Sequence, residues 1–383
     1  MLKSCKKIYV SLLSLALLLV WSAVAMAAAP SITADAAIVI DEATGQVLYE
    51  KNADKREYPA SMTKMMTCLL GIQLLPPDAK ITISQAAAST EDLPLHIARG
   101  DVLTSEELMR GMMMVSDNGA AVAIAEHIDG SAAVFAERMN EKAQELGMVN
   151  THFANPNGLT DPNHYSTPHD MARLAQYAMK NPVFRDFVRQ KERRVTWIAP
   201  AGKTLLAENT NELLGHYEGI TGIKTGWTSA AGGCLAASAE RQGVHLIAVL
   251  MKAPSEDARF PEMRAILDYG FANVTLAKGP TAKEASRHVW VKGGTQARTV
   301  VRPATDIEYP LLPGEEASHV KVNYDVPKVI DAPLTAGTKV GSAILTYDGE
   351  EIGRVDMVAE AVPEGFSIGS WLVGLFEGPL SWF

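Results

Sequence analysis

Tyr58-Pro59-Ala60-Ser61-Met62-Thr63-Lys64 opens an apolar stretch in which Met62, Met65, Met66, Leu69 and Leu70 recur at helical spacing. The pattern predicts a buried helix starting near Ser61 and ended by Gly71 and Pro76-Pro77. Residues three apart on a helix share a face, so Lys64 can reach the hydroxyl of Ser61. A serine hydroxyl is a poor nucleophile until a neighbour takes its proton. A lysine amine can take it once burial or a second cation lowers its pKa. A helix N-terminus also presents free backbone N–H groups, which suit a developing oxyanion. Alone, Ser-x-x-Lys is more often an N-cap serine followed by a surface lysine.

Two later stretches change that reading. Ser116-Asp117-Asn118 and then Lys224-Thr225-Gly226 follow in the chain. The order resembles the penicillin-recognising serine acyltransferases, the penicillin-binding proteins and class A β-lactamases, with their S-x-x-K, S-x-N and K-T-G motifs. More closely, the chain is similar to the low-molecular-weight D-alanyl-D-alanine carboxypeptidases. The likeness rests on Asn155-Pro156-Asn157-Gly158-Leu159, the Tyr-Ser-Thr-x-x-Asp-Met-Ala stretch from Tyr165 to Ala172, and Gly222-Ile223-Lys224-Thr225-Gly226, and it runs from about Ala34 to the C-terminus. It implies an acyl-enzyme on Ser61 with Lys64 as base. Ser116 would relay a proton to the leaving nitrogen, and Asn118 would hydrogen-bond the substrate amide. Lys224 would supply positive charge beside Thr225, and Gly226 would let a substrate backbone come close. Backbone N–H groups of Ser61 and Trp227 would form the oxyanion hole, and Arg259 would lie near the substrate's terminal carboxylate. Asp117 is expected to be a solvated neighbour. Ser116-Asp117-Asn118-Gly119 departs from the subgroup, which more often has Gly or Ala inside the motif and Asp after it. The implied substrate is a peptidoglycan stem peptide ending in D-Ala-D-Ala, with β-lactams as inhibitors and no cofactor. A DD-endopeptidase, a β-lactamase and a non-turnover penicillin-binding sensor remain open, although the lactamase deacylation motif Glu-x-x-Leu-Asn is absent.

Composition is consistent with that reading. Residues 1–29 carry Lys3, Lys6 and Lys7, then an apolar run and the small-x-small site Ala25-Met26-Ala27, the form of a secretory signal peptide. Export would place the enzyme on the periplasmic or extracellular face of the cytoplasmic membrane. The 383 residues suit two domains or more, and 47% hydrophobic content is enough for a core. The net charge of −9 argues against a nucleic-acid partner. Cys68 and Cys234 sit in apolar settings and read as buried free thiols, and no cysteine–histidine cluster has metal-ligand spacing.

Residues 36–50 read as a β-hairpin. Thr104-Ser105-Glu106-Glu107 has the form of a capping box, with Ser116 at or just past the end of its helix. Ser131 starts a helix with Val134, Phe135 and Met139 on one face. Thr167-Pro168 starts another that stops at Asn181-Pro182. A second hairpin over residues 232–251 and a helix over 258–271 follow. The expected class is α+β, an antiparallel sheet with flanking helices and a helical subdomain, followed by a small all-β domain. The expected divisions are 1–29 signal, 30–273 catalytic, 274–362 all-β and 363–383 tail. Trp371, Leu372, Leu375 and Phe376 form a helical stripe in the tail, expected to lie in a membrane interface as a peripheral anchor.

Overall fold

The structure, a computed structural model, describes residues 28–312 and 314–376. The expected signal peptide lies outside them but for its last two residues, as do Leu380, Trp382 and Phe383 of the tail.

The first half begins with the expected hairpin, β1 (Ala36–Asp41) and β2 (Val47–Lys51). A 3-10 turn over Ala60–Thr63 leads into α1 (Lys64–Leu74). Helices α2 (Ser105–Val115), α3 (Asn118–Asp129), α4 (Ala132–Glu145), α5 (Pro168–Met179) and α6 (Pro182–Val188) follow. Then come β3 (Ile220–Thr228), β4 (Gly232–Arg241), β5 (Val244–Ala253) and α7 (Arg259–Ala272). The sheet order is β2-β1-β5-β4-β3 with antiparallel neighbours, so strands from both ends of this half share one sheet and meet where β1 pairs with β5.

Every residue of β1 is buried because both faces are covered. Side chains alternate along a strand. Ile38 and Ile40 join the core under α1 and α5, whereas Ala37 and Val39 join Phe260, Met263, Ile266 and Leu267 of α7. α1 is buried from Lys64 to Gly71, as expected of a helix surrounded by core. Gly71 lies inside it, and its carbonyl accepts from Leu75 N–H in the last turn before Pro76-Pro77.

Caps explain the helix starts. Thr104, Ser131 and Thr167 each accept a backbone N–H from the first turn of their helices, each worth about 1 kcal/mol. The expected Thr104 capping box is only half formed, because Glu107 turns its carboxylate to Thr196 instead. On α4, Phe135 and Met139 are buried as expected, but Val134 points out at 48% exposure. The sequence reading stopped at Asn181-Pro182, yet Asn181 caps α6, whose Phe184, Phe187 and Val188 fill the core. It also passed over the hairpin Glu192–Thr196 with Thr204–Glu208, where charged residues obscure the alternation. Cys68 and Cys234 are buried free thiols.

The second half holds a sheet in the order Val320–Asp325, Thr338–Tyr347, Glu350–Ala359, Arg298–Pro303, Arg287–Lys292, Val329–Asp331. Asp348-Gly349 makes the expected two-residue turn. Helix α8 (Ile368–Phe376) packs against strand Arg287–Lys292. Its Ser370 is buried and accepts from Gly294 N–H at 2.9 Å, and Val373 lies beside it on the inward face. Outward, Trp371 and Leu372 are 54% and 41% exposed, and the preceding Phe366 is 76% exposed. No helix among the described residues is long and apolar enough to cross a membrane.

Candidate active site

Ser61 does not open the α-helix, as the apolar periodicity suggests. It sits in the 3-10 turn, and α-helical geometry begins at Lys64. The difference favours contact, because side chains three apart eclipse in a 3-10 turn. Lys64 Nζ lies 2.8 Å from Ser61 Oγ. Ala60, just ahead, is held at φ +48°, a conformation that costs a residue with a Cβ about 1–2 kcal/mol.

Lys64 is fully buried, and its Nζ meets two further acceptors, Asn118 Oδ1 at 2.7 Å and the Asn157 carbonyl at 2.8 Å. Burial lowers its pKa to about 7, against the opposing pull of Asp117 and Asp92. A neutral amine has two N–H donors and one lone pair. The carbonyl-type acceptors Asn118 Oδ1 and Asn157 O can only accept, so they take the two donors, and the lone pair is left for the Ser61 O–H.

Ser116 caps the C-terminus of α2 in a left-handed conformation at φ +67°. Its hydroxyl has no hydrogen-bond partner among the described residues. Asp117 corrects an expectation. It is fully buried, caps α3 by accepting from Ala120 N–H at 2.8 Å, and accepts from Leu95 N–H at 2.9 Å. Burial raises its carboxyl pKa, while those two backbone donors act the other way. The polar x position therefore ties loop and helix together beside Lys64. Asn118 donates to Glu91 O at 3.0 Å and accepts from Lys64, which leaves one amide N–H for a substrate.

The opposite wall is β3, the edge strand of the sheet. Lys224 is buried and donates to Thr225 O at 3.0 Å. Burial first, then the charges of Lys64 and Arg259, push its pKa well below that of a free lysine. Thr225 Oγ1 bonds Thr210 Oγ1. Gly226 lies against the nucleophile turn, where a Cβ would stand 3.1 Å from Ser61 N and from Pro59 O. Trp227 follows and is 40% exposed. Arg259 is not open to solvent. It is buried, donates to Gly226 O at 3.0 Å and to Glu256 at 2.9 Å, and so braces β3 from α7.

The structure thus brings Ser61, Lys64 and Asn118 into direct contact and sets Gly226 beside Ser61. The sequence reading missed Asn157 as a partner of Lys64. It also missed His164, whose Nε2 lies 2.8 Å from Thr63 Oγ1 inside the first motif. Asn157 acts through its carbonyl, which any residue could supply, so its identity carried no signal. His164 follows Asp161-Pro162-Asn163, a turn signal that makes a buried histidine unexpected. No group of three or more His, Cys, Asp and Glu among the described residues could hold a metal ion.

A family model described as D-alanyl-D-alanine carboxypeptidase matches residues 23–255. A second, the penicillin-binding protein 5 C-terminal domain, matches residues 276–364. The D-alanyl-D-alanine carboxypeptidase DacF of Bacillus subtilis is 33% identical over 339 residues, 85% of each chain. The crystal structure of penicillin-binding protein 5 from Haemophilus influenzae is 31% identical, with a TM-score of 0.66 over 88% of this chain and all of that one. The Streptomyces K15 DD-transpeptidase is 33% identical with a TM-score of 0.61, and covers only 64% of this chain. The chain therefore belongs to the D-alanyl-D-alanine carboxypeptidase family.

Proposed function

We propose that this protein is a serine D-Ala-D-Ala carboxypeptidase acting on peptidoglycan stem peptides. The observation that carries the proposal is Lys64 Nζ, buried at 2.8 Å from Ser61 Oγ with its other contacts taken by acceptors. Neutral Lys64 takes the Ser61 proton as Oγ attacks the penultimate D-alanine carbonyl. Ser116 passes its proton to the leaving nitrogen and takes up the one held by Lys64, D-alanine departs, and water then hydrolyses the ester on Ser61. The remaining amide N–H of Asn118 orients the substrate amide. Backbone N–H groups of Ser61 and Trp227 hold the oxyanion, and losing one such donor costs about 2.7–4 kcal/mol. Lys224 and Thr225 receive the terminal carboxylate, and Arg259 acts there by fixing Gly226 and adding positive potential. Incubation with a D-Ala-D-Ala peptide should release D-alanine, and a labelled penicillin should form an adduct on the peptide carrying Ser61. Cleavage of cross-linked dimers without D-alanine release would point instead to an endopeptidase, rapid loss of the adduct to a β-lactamase, and an adduct without peptide turnover to a sensor.

The acylation rate should rise with pH through about 7, the pKa of Lys64, because only the neutral amine can accept the proton. A profile flat from pH 5 to 9, with chemistry rate-limiting, would remove Lys64 from the base role.

The chain is further proposed to be exported through residues 1–29 and held on the outer face of the cytoplasmic membrane by its tail. The division near residue 273 is supported by the end of α7 at Ala272 and the separate strand pairing that follows. The outward side of α8, with Trp371 and Leu372, would lie in the membrane interface, where tryptophan is favoured. Among the described side chains of α8, Ser370 and Val373 are the buried ones. A chain ending at Pro363 should therefore stay folded and active but move from the membrane fraction to the soluble one. Equal solubility of both forms would exclude the anchor.

A further inference from the structure

We propose that His164 is a positioning residue that locks the nucleophile turn through Thr63 and so fixes the Ser61–Lys64 contact. The inference rests on the acylation of Ser61 proposed above.

His164 is 1% exposed, and both ring nitrogens are engaged. Ala154 N–H donates to Nδ1 at 3.1 Å. A backbone amide can only donate, so Nδ1 is the acceptor and Nε2 carries the proton. Nε2 therefore donates to Thr63 Oγ1, 2.8 Å away. Burial lowers the pKa of His164 to about 4, so the ring is neutral and keeps this tautomer at neutral pH. The Phe153 ring meets it edge-on at 5.7 Å.

Thr63 occupies the position immediately before Lys64 in the first motif. It is the N-cap residue of α1, yet its side chain makes no capping bond to the helix. The hydroxyl is instead taken by His164, on a segment a hundred residues away. The same segment also makes two contacts with α1. Asn157 O accepts from Lys64 Nζ, and Pro156 O accepts from Thr67 Oγ1 at 2.6 Å. Those two contacts grip α1, whereas the Thr63–His164 bond grips the 3-10 turn that carries Ser61. Rotation of that turn would change the 2.8 Å separation of Ser61 Oγ from Lys64 Nζ without disturbing α1.

The test compares His164→Phe, His164→Gln, Thr63→Val and the double variant Thr63→Val/His164→Phe. His164→Phe keeps the ring volume and removes both polar contacts. His164→Gln restores a donor and an acceptor, and Thr63→Val removes only the hydroxyl. The readouts are the rate of acylation by a labelled penicillin, the kcat and KM for D-alanine release, and the adduct site by mass spectrometry. A shift of about 1 Å in reacting groups can cost on the order of 100-fold, so His164→Phe should lower the acylation rate and kcat by roughly 10–100-fold. KM should change little. Thr63→Val should lose a similar amount, the double variant should be no slower than His164→Phe, and His164→Gln should recover most of the rate. An effect on thermal stability alone, additive losses in the double variant, or no recovery in His164→Gln would each overturn the proposal. So would failure of Thr63→Val and His164→Gln to fold, since the pair would then be structural. A wild-type adduct that maps away from Ser61 would instead overturn the acylation reading itself.

Discussion

Lys64→Met is expected to slow acylation by about 10²–10⁴-fold, the range lost with a general base, while leaving the protein folded. Methionine occupies a similar volume without a titratable group. Two opposing effects set its stability. Without the amine, Asn118 Oδ1 and Asn157 O lose their donor, at roughly 1–3 kcal/mol for each acceptor left unpaired. Against this, the wild-type lysine itself costs stability. Its folded pKa of about 7 lies below the unfolded value near 10.4, so burying the amine at neutral pH costs about 4 kcal/mol, as retained charge or as a released proton. That cost is present in full below the folded pKa and fades as pH rises toward the unfolded one. The two effects are comparable, and the melting temperature at pH 7 should shift by no more than a few degrees. Wild type should gain stability between pH ~7 and ~10, and Lys64→Met should show a smaller gain, with Lys224 still contributing its own. A slow variant that is also unfolded would assign Lys64 a structural role. A well-folded variant acylating within about threefold of wild type would exclude it as the base.

What the sequence revealed about the site was what is local or carried by side-chain identity. Ser61 and Lys64 are three apart, so any helical geometry brings them together. The hairpin over residues 36–50 and the caps at Thr104, Ser131 and Thr167 follow from periodicity and turn chemistry. The 3-10 geometry of the Ser61 turn was hidden because both helix types bury the same methionines. Asp117 was misread because an aspartate between Ser and Asn looks solvated until Leu95 N–H, from a loop far earlier in the chain, is seen to bind it. Arg259 was named through the family resemblance alone, and its contact with Gly226 O is to backbone, which no residue pattern records. The family resemblance supplied the stretch from Asn155 to Leu159 without a role for it. The role comes from carbonyl groups and a close approach, neither of which depends on recognisable side chains.

Gly158→Ala is the second large effect expected, and it tests that close approach. Gly158 is buried with φ +89°, a region costly for a residue with a Cβ. A Cβ there would stand 1.9 Å from Ala60 O and 2.9 Å from Thr63 Oγ1. The first of these is backbone, which cannot rotate away as a side chain end could. Asn155 holds the loop in place, accepting from Gly158 N–H at 2.7 Å and donating to Leu159 O at 2.9 Å, so the loop cannot retreat without breaking its own bonds. Left-handed strain of about 1–2 kcal/mol and overpacking of about 1–3 kcal/mol add to roughly 2–5 kcal/mol. At about 2–4 °C per kcal/mol for a unit of this size, the melting temperature should fall by on the order of 4–20 °C. Acylation should fall further than the loss of folded protein explains, because the clash pushes on the residue before the nucleophile. Gly202→Ala is the control. Its φ of +82° is as strained, but nothing lies within 4 Å of its Cβ position. It should lose only about 1–2 kcal/mol and acylate normally. If the two variants behave alike, backbone strain alone explains Gly158, and the loop does not bear on the Ser61 turn. If Gly158→Ala acylates slowly while still largely folded, the Asn155–Leu159 loop sets the position of Ser61.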